Sequence, residues 1–193
     1  MKVQEPEKCM ATIDMDTKTE LITLGGGCFW CLEAVFEQVQ GVLSVESGYA
    51  NGLGQATNYE AVCGGQTGFA EVVQLRFDPQ RITLRAVLEV FFSIHDPTSL
   101  NRQGADVGTQ YRSGIYWHEP SQRELAEQVL AELQAALGGR VVTELQPLRV
   151  YQRAEDYHQH YFARHPDQGY CAFVIAPKLD KFQRTLSQYL KRG

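Results

Sequence analysis

Leu21-Ile22-Thr23-Leu24-Gly25-Gly26-Gly27-Cys28-Phe29-Trp30-Cys31-Leu32-Glu33 is the stretch from which the chain is best read. Leu21, Ile22 and Leu24 form a short apolar run that predicts a buried strand. Gly25, Gly26 and Gly27 follow, a run suited to a tight turn or to close approach of another group to the backbone. Beyond them Phe29, Leu32, Val35, Phe36 and Val39 recur at spacings of three and four, which predicts a helix with one apolar stripe. Gly41 stands where a C-cap glycine belongs. Cys28 therefore falls at a strand-to-helix turn, on the helix N-terminus. The first N–H groups of a helix lack internal partners and carry partial positive charge, so a thiolate there is stabilised and its pKa is expected to fall. The glycine turn and the adjacent Phe29-Trp30 pair favour a reactive cysteine over a buried structural one.

Reading onward, residues 42–49 alternate partially and predict a second strand. Residues 50–68 are rich in Gly, Asn and Gln and form a long loop, with one helical turn expected at 58–62. Residues 70–77, AEVVQLRF, alternate as a third strand ended by Asp78-Pro79. Thr83 caps a helix whose apolar face is Leu84, Val87, Leu88, Phe91 and Phe92, and which stops before Asp96-Pro97. A second long loop leads to a strand at 113–117. Pro120 opens a helix running to about Leu137, and Gly138-Gly139 ends it. A fifth strand is expected at 141–145, a short polar helix at 155–164, another short strand at 173–175, and a C-terminal helix marked by Leu179, Phe182, Leu186, Tyr189 and Leu190. Strand, helix, strand, strand, helix, strand is the split-βαβ order. The expected class is α+β with a ferredoxin-like core: a mixed, mostly antiparallel sheet, helices packed on it, and long functional loops. Residues 1–17 carry charges, a proline and no period, and read as a mobile tail. Residues 18–193 read as a single catalytic domain.

The 193 residues suffice for a sizeable core, and 44% hydrophobic with 21% charged is ordinary globular composition. A net charge of −5 gives no basic footprint for nucleic acid. No stretch is long and apolar enough to span a membrane, and the N-terminus lacks the apolar core of a signal peptide. The cysteines are Cys9, Cys28, Cys31, Cys63 and Cys171: an odd number without the spacing of a secreted disulfide framework. A reducing, cytoplasmic setting is expected, where cysteines are more often catalytic than structural. A lone C-x-x-C is a poor zinc site, so no metal is expected.

Candidate chemistry concentrates in the two long loops. Tyr49, Asn51, Asn58, Tyr59 and Cys63 lie on the first; His95, Asp96, Asn101, Arg102, Asp106, Gln110 and Tyr111 lie on the second. Glu71 stands in an apolar strand, on the face shared by Val73 and Leu75. A carboxyl there is either partnered or shifted upward by desolvation, which would make it a proton donor near neutrality; an edge glutamate facing water is the alternative. Cys171, in Gly169-Tyr170-Cys171, has the setting of a resolving thiol on a mobile segment. Cys31, three residues after Cys28, is the competing candidate, in the geometry of a redox C-x-x-C. From these residues alone, three rivals stand beside a sulfoxide reductase: a general thiol–disulfide oxidoreductase, a Cys-His acyl hydrolase using His95, His158 or His160, and a non-enzymatic redox sensor. Cys63 is expected to be a buried, inert thiol, and Cys9 an incidental one.

Five segments carry a resemblance. GGGCFWCLE, GYANG, NYEAVCGGQTGFAEVV, HDPTSLNRQGADVGTQYRS and AEDYHQHYF are together similar to the peptide methionine sulfoxide reductase A family, in its order and spacing, from about Leu21 to the C-terminus. The resemblance implies a ferredoxin-like α+β fold and reduction of the S epimer of methionine sulfoxide, free or in proteins. It implies Cys28 as nucleophile, Glu71 as acid, and Phe29 and Trp30 as the aromatics cradling the substrate methyl. Tyr59, Asp106 and Tyr111 are implied to hold the sulfoxide oxygen, and Cys171 to resolve, with Cys31 still open as a second possible resolving thiol. It further implies a monomer that needs no metal or organic cofactor, regenerated by thioredoxin or another external dithiol. The chain departs from the family's pattern at Cys31, where many members have glycine, at Asn51 for glycine, at Phe69 for histidine, and at Ala105 for asparagine.

Overall fold

The computed structural model describes residues 18–54 and 57–191; the tail expected at 1–17, with Cys9, lies outside them. Strand β1 (Glu20–Gly25) runs into helix α1 (Phe29–Phe36), then β2 (Val42–Ala50), the single-turn α2 (Tyr59–Cys63), β3 (Ala70–Phe77) and α3 (Leu84–Ile94). The second long loop holds a two-residue hairpin, β4 (Arg102–Gln103) with β5 (Asp106–Val107). It is followed by β6 (Gly114–Trp117), α4 (Pro120–Ala136), β7 (Glu144–Pro147), β8 (Tyr151–Arg153), α5 (Tyr161–Arg164) and α6 (Ala176–Thr185).

The main sheet has the order β7-β6-β1-β3-β2-β8. Its central four strands, β6-β1-β3-β2, are antiparallel throughout and have the ferredoxin-like arrangement, in which β3 splits the β1-α1-β2 unit. β7 adds parallel to β6 and β8 antiparallel to β2, which makes the sheet mixed. The alternation of β3 assigns its faces. Glu71, Val73, Leu75 and Phe77 point toward the helices and the principal core, whereas Ala70 and Val72 face a smaller core with Ala50 and Tyr116.

Several elements differ from the sequence expectation. Helix α1 is buried on nearly every side rather than along one stripe, because α5 and α6 cover the side away from the sheet. It ends at Phe36: the backbone at 38–40 pairs instead with the chain's last turn, Gln40 N–H donating to Tyr189 O and Lys191 N–H to Gln38 O. The strand expected at 173–175 is helical. Residues 171–175 form a π-turn leading directly into α6, with Ala176 N–H reaching back to Cys171 O. Pro177 supplies the cause, since it has no N–H and its ring crowds the preceding turn, so the ladder widens. The polar helix expected at 155–164 breaks at His160, whose φ is 53°, into a 3₁₀ turn and α5. The fifth strand sits three residues later than expected, and the short strands β4, β5 and β8 carry little periodicity by which to find them.

Candidate active site

The glycine turn between β1 and α1 is packed too closely for side chains. A Cβ on Gly26 would lie 2.9 Å from the Phe91 ring and 3.1 Å from His95, and Gly27, at φ +92°, would meet Gln103 at 2.8 Å. His95 is locked beneath this turn: its Nδ1 donates to Phe91 O at 2.7 Å and its Nε2 accepts from Ser113 Oγ at 2.7 Å. Burial lowers its pKa to about 4, so the ring is neutral and both nitrogens are engaged.

Cys28 occupies the N-cap position of α1, as expected, yet its protonation is the reverse of the expectation. The first N–H of the helix, that of Phe29, donates to Glu71 Oε2 at 3.2 Å; the helix end is turned toward the carboxyl, not the thiol. Burial first, then the hydrogen bond to Cys31 and the charge of Glu71, push the Cys28 thiol well above its usual range. Glu71, opposite Tyr49 in the β2–β3 register, is buried at 1% exposure. Desolvation raises its pKa to about 8 against the opposing Phe29 bond, with the charges of Asp106 and Cys31 adding to the rise. It is both partnered and shifted upward, not an edge residue.

The other expected residues gather around this pair. Tyr59 opens α2, where its N–H donates to Glu155 Oε1 at 3.0 Å; the same carboxylate accepts from Tyr49 OH at 2.7 Å. Burial raises the phenols of Tyr59 and Tyr111, and each feels the charge of Glu71. Asp106 Oδ2 accepts from Tyr170 OH at 2.8 Å. Trp30 is half-buried and stacks on Tyr161 with centroids 3.7 Å apart and planes 7° apart, while Tyr170 meets it edge-on at 5.8 Å. Phe29 is fully buried, 5.1 Å from the His158 ring.

Tyr161 and Tyr170, near the site, were not singled out by sequence reasoning, and the buried His158 entered only as a candidate hydrolase histidine. His158 packs against Phe29, Trp30, Tyr59 and Tyr157, and among the described residues neither of its ring nitrogens nor Trp30 Nε1 has a hydrogen-bond partner. For His158 and Tyr161 the aromatic spacing of AEDYHQHYF was the available signal. No described histidine hydrogen-bonds Cys28: His95 is fully engaged and His160 pairs with Glu37 on the surface. That removes the geometry of a Cys-His hydrolase.

Cys28, Cys31, Cys63 and Cys171 are free thiols. Cys171 is buried in the π-turn rather than carried on an open segment, because Ile175, Leu179 and Phe182 of the same helical stretch anchor it in the core. Cys63 is exposed, contrary to expectation, since α2 is a single surface turn that buries only Val62. A cavity of about 680 Å³ between α3, α4 and α6 includes none of the site residues.

Residues 20–190 match the family described as peptide methionine sulfoxide reductase. The chain belongs to that family. A peptide methionine sulfoxide reductase MsrA of Saccharolobus solfataricus is 51% identical over 172 residues, covering 89% of this chain and 97% of the relative. Among solved structures, reduced Mxr1 of Saccharomyces cerevisiae is 38% identical with a TM-score of 0.74, covering 81% of this chain and 91% of Mxr1. Mxr1 in complex with Trx2 is 28% identical with a TM-score of 0.52, covering 76% and 86%. As a peptide methionine sulfoxide reductase the chain is an enzyme, with the α+β fold its residues imply. Among the described residues no helix is long and apolar enough to cross a membrane.

Proposed function

We propose that the chain reduces the S epimer of methionine sulfoxide, free or in proteins, to methionine, and thereby repairs oxidised proteins. The observation that carries this reading is the pairing of a buried thiol, Cys28, with a buried carboxyl whose pKa of about 8 keeps it protonated at neutrality. A sulfoxide is a weak electrophile at sulfur until its oxygen is protonated or strongly hydrogen-bonded. Glu71 gives its proton to that oxygen, with the Tyr59 and Tyr111 hydroxyls as further donors and Asp106 fixing the surroundings. The Cys28 sulfur attacks the sulfoxide sulfur and forms a transient S–S bond, its own proton replaces the one Glu71 has lost, and the hydroxyl then passes to the Cys28 sulfur as that S–S bond breaks. The sulfoxide S–O bond breaks, methionine leaves with its sulfur reduced, and Cys28 retains the oxygen as a sulfenic acid. Phe29 and Trp30, extended by Tyr161 and Tyr170, form the apolar wall that accepts the S-methyl group.

A second thiol, Cys31 or Cys171, condenses with the sulfenic acid to a disulfide and releases water; an external dithiol restores the thiols. A yeast relative's complex with Trx2 supports a thioredoxin in that role. In this reading residues 18–193 work as one catalytic domain, as a monomer, in the cytoplasm, without metal or organic cofactor. The test uses separate S and R epimers of a blocked methionine sulfoxide with a chemical dithiol, alongside Cys28→Ser, and follows methionine by chromatography. Methionine from the S epimer alone, absent in the variant, is the expected result. None from either epimer, with folded protein, overturns the reading.

A further inference from the structure

Helix α2 is a single turn of five residues that buries only Val62, and a helix so short is not stable by itself. It opens with Tyr59, so whatever seats its first residues decides where that hydroxyl lies. Among the described residues, the long-range hydrogen bonds to this start come from β8 and the residues just after it. Thr57 N–H donates to Gln152 Oε1 at 2.7 Å, and Nε2 of the same amide donates back to Thr57 O. Tyr59 N–H, a donor of the first turn with no partner inside the helix, reaches Glu155 Oε1 at 3.0 Å. The Asn58 side chain closes the turn from within, accepting from Ala61 N–H at 2.9 Å.

Glu155 has a second engagement, which ties this clamp to the strands that carry the acid. Its Oε2 accepts from Tyr49 OH at 2.7 Å. Tyr49 is fully buried and lies opposite Glu71 in the β2–β3 register. Its ring sits 5.8 Å from that of Phe29, whose N–H holds Glu71. Tyr59 packs on the His158 ring with centroids 4.4 Å apart, and His158 packs on Phe29. One carboxylate therefore joins the rigid side of the site, Tyr49 on the sheet, to its weakly anchored side, Tyr59 on α2.

We propose that Glu155 is a positioning residue that, with Gln152, fixes Tyr59 in the site so that its hydroxyl is in place to donate to the sulfoxide oxygen. This rests on the reading above, in which Tyr59 is such a donor. Two features favour positioning over a second proton donor. Both oxygens of Glu155 already accept a hydrogen bond, one from each side of the site. Against desolvation, hydrogen bonds from its own backbone, Tyr49 and Tyr59 hold its carboxyl below the usual range, the opposite direction to Glu71. It is thus an ionised acceptor, which grips the two donors more firmly than a neutral group would. The rate is sensitive to such a grip, since misplacing a reacting partner by about 1 Å can cost on the order of 10²-fold.

The experiment uses the full chain as parent, Glu155→Ala, Tyr59→Phe and the double variant, each checked for folding by circular dichroism. Single-turnover methionine formation from the S epimer of a blocked methionine sulfoxide is followed by rapid quench across substrate concentrations. Glu155→Ala is expected to lower the saturating rate about tenfold, no further than Tyr59→Phe does, with the half-saturating concentration changed less than about twofold. Glu155→Gln, whose side-chain oxygen still accepts from Tyr59 N–H, is expected to restore most of the rate. In Tyr59→Phe protein, Glu155→Ala is expected to add no further loss, whereas a merely structural role slows both backgrounds alike. An unchanged rate in Glu155→Ala, or an equal loss in the two backgrounds, overturns the proposal alone. A Tyr59→Phe variant as fast as the parent overturns the reading of Tyr59 as a donor and the proposal with it. If Glu155→Ala does not fold, Gln152→Ala goes through the same comparison with the same expected and contrary results.

Discussion

Cys28 and Glu71 sit side by side at the head of α1, and the Phe29 N–H that a sequence reader gives to the thiol is directed at the carboxyl instead. Burial then keeps both groups protonated, a state suited to a step in which one proton is delivered to an oxygen and another replaces it. Glu71 acts in its acid form, so methionine formation is expected to hold at neutral pH and to fall as pH rises through about 8. Glu71→Gln keeps the side-chain shape and an oxygen to accept from Phe29 but has no acidic proton. Its single-turnover rate should drop roughly 10²–10⁴-fold, and the alkaline limb centred on Glu71 should vanish from the pH profile. An unchanged rate in that variant would assign the proton to another group.

At the scale of elements, the glycine turn and the C-terminal helix define the site. Gly27 combines φ +92° with a Cβ position 2.8 Å from Gln103, whose amide also brackets the Asp96 backbone from both sides. Gly27→Ala should cost about 1–3 kcal/mol in urea denaturation, more than Gly138→Ala, because Gly138 has a positive φ but nothing within 4 Å. The turn was legible in sequence because three glycines before an apolar period allow few other readings. Glu71 was legible because a charge in an alternating apolar strand stands out. The π-turn was not, because Phe173-Val174-Ile175 has the composition of a strand and becomes helical only through Pro177 and the anchoring of Leu179 and Phe182. The protonation of Cys28 was not legible either, since it depends first on burial by tertiary packing and then on neighbours that include Glu71, 43 residues away, which takes the helix N–H.

Across the whole molecule, the four thiols of the described residues are graded by access. Cys63 lies on the surface, Cys28 and Cys31 are buried at the head of α1, and Cys171 is sealed in the π-turn. A bulky thiol reagent should label Cys63 rapidly and Cys171 only at the rate of local opening of the helical stretch 169–185, read by peptide mapping over time. Equal rates at Cys63 and Cys171 would show that the C-terminal stretch opens freely and that its burial does not limit access. The central claim, that Cys28 takes the oxygen with Glu71 as proton donor, is tested most directly by a single turnover in which no other site thiol can respond. Cys31→Ser/Cys171→Ser protein is mixed with one equivalent of the S epimer, and the protein mass and methionine are measured together. The account predicts one equivalent of methionine and one added oxygen mapping to Cys28; methionine without that oxygen, or oxygen on another residue, would contradict it.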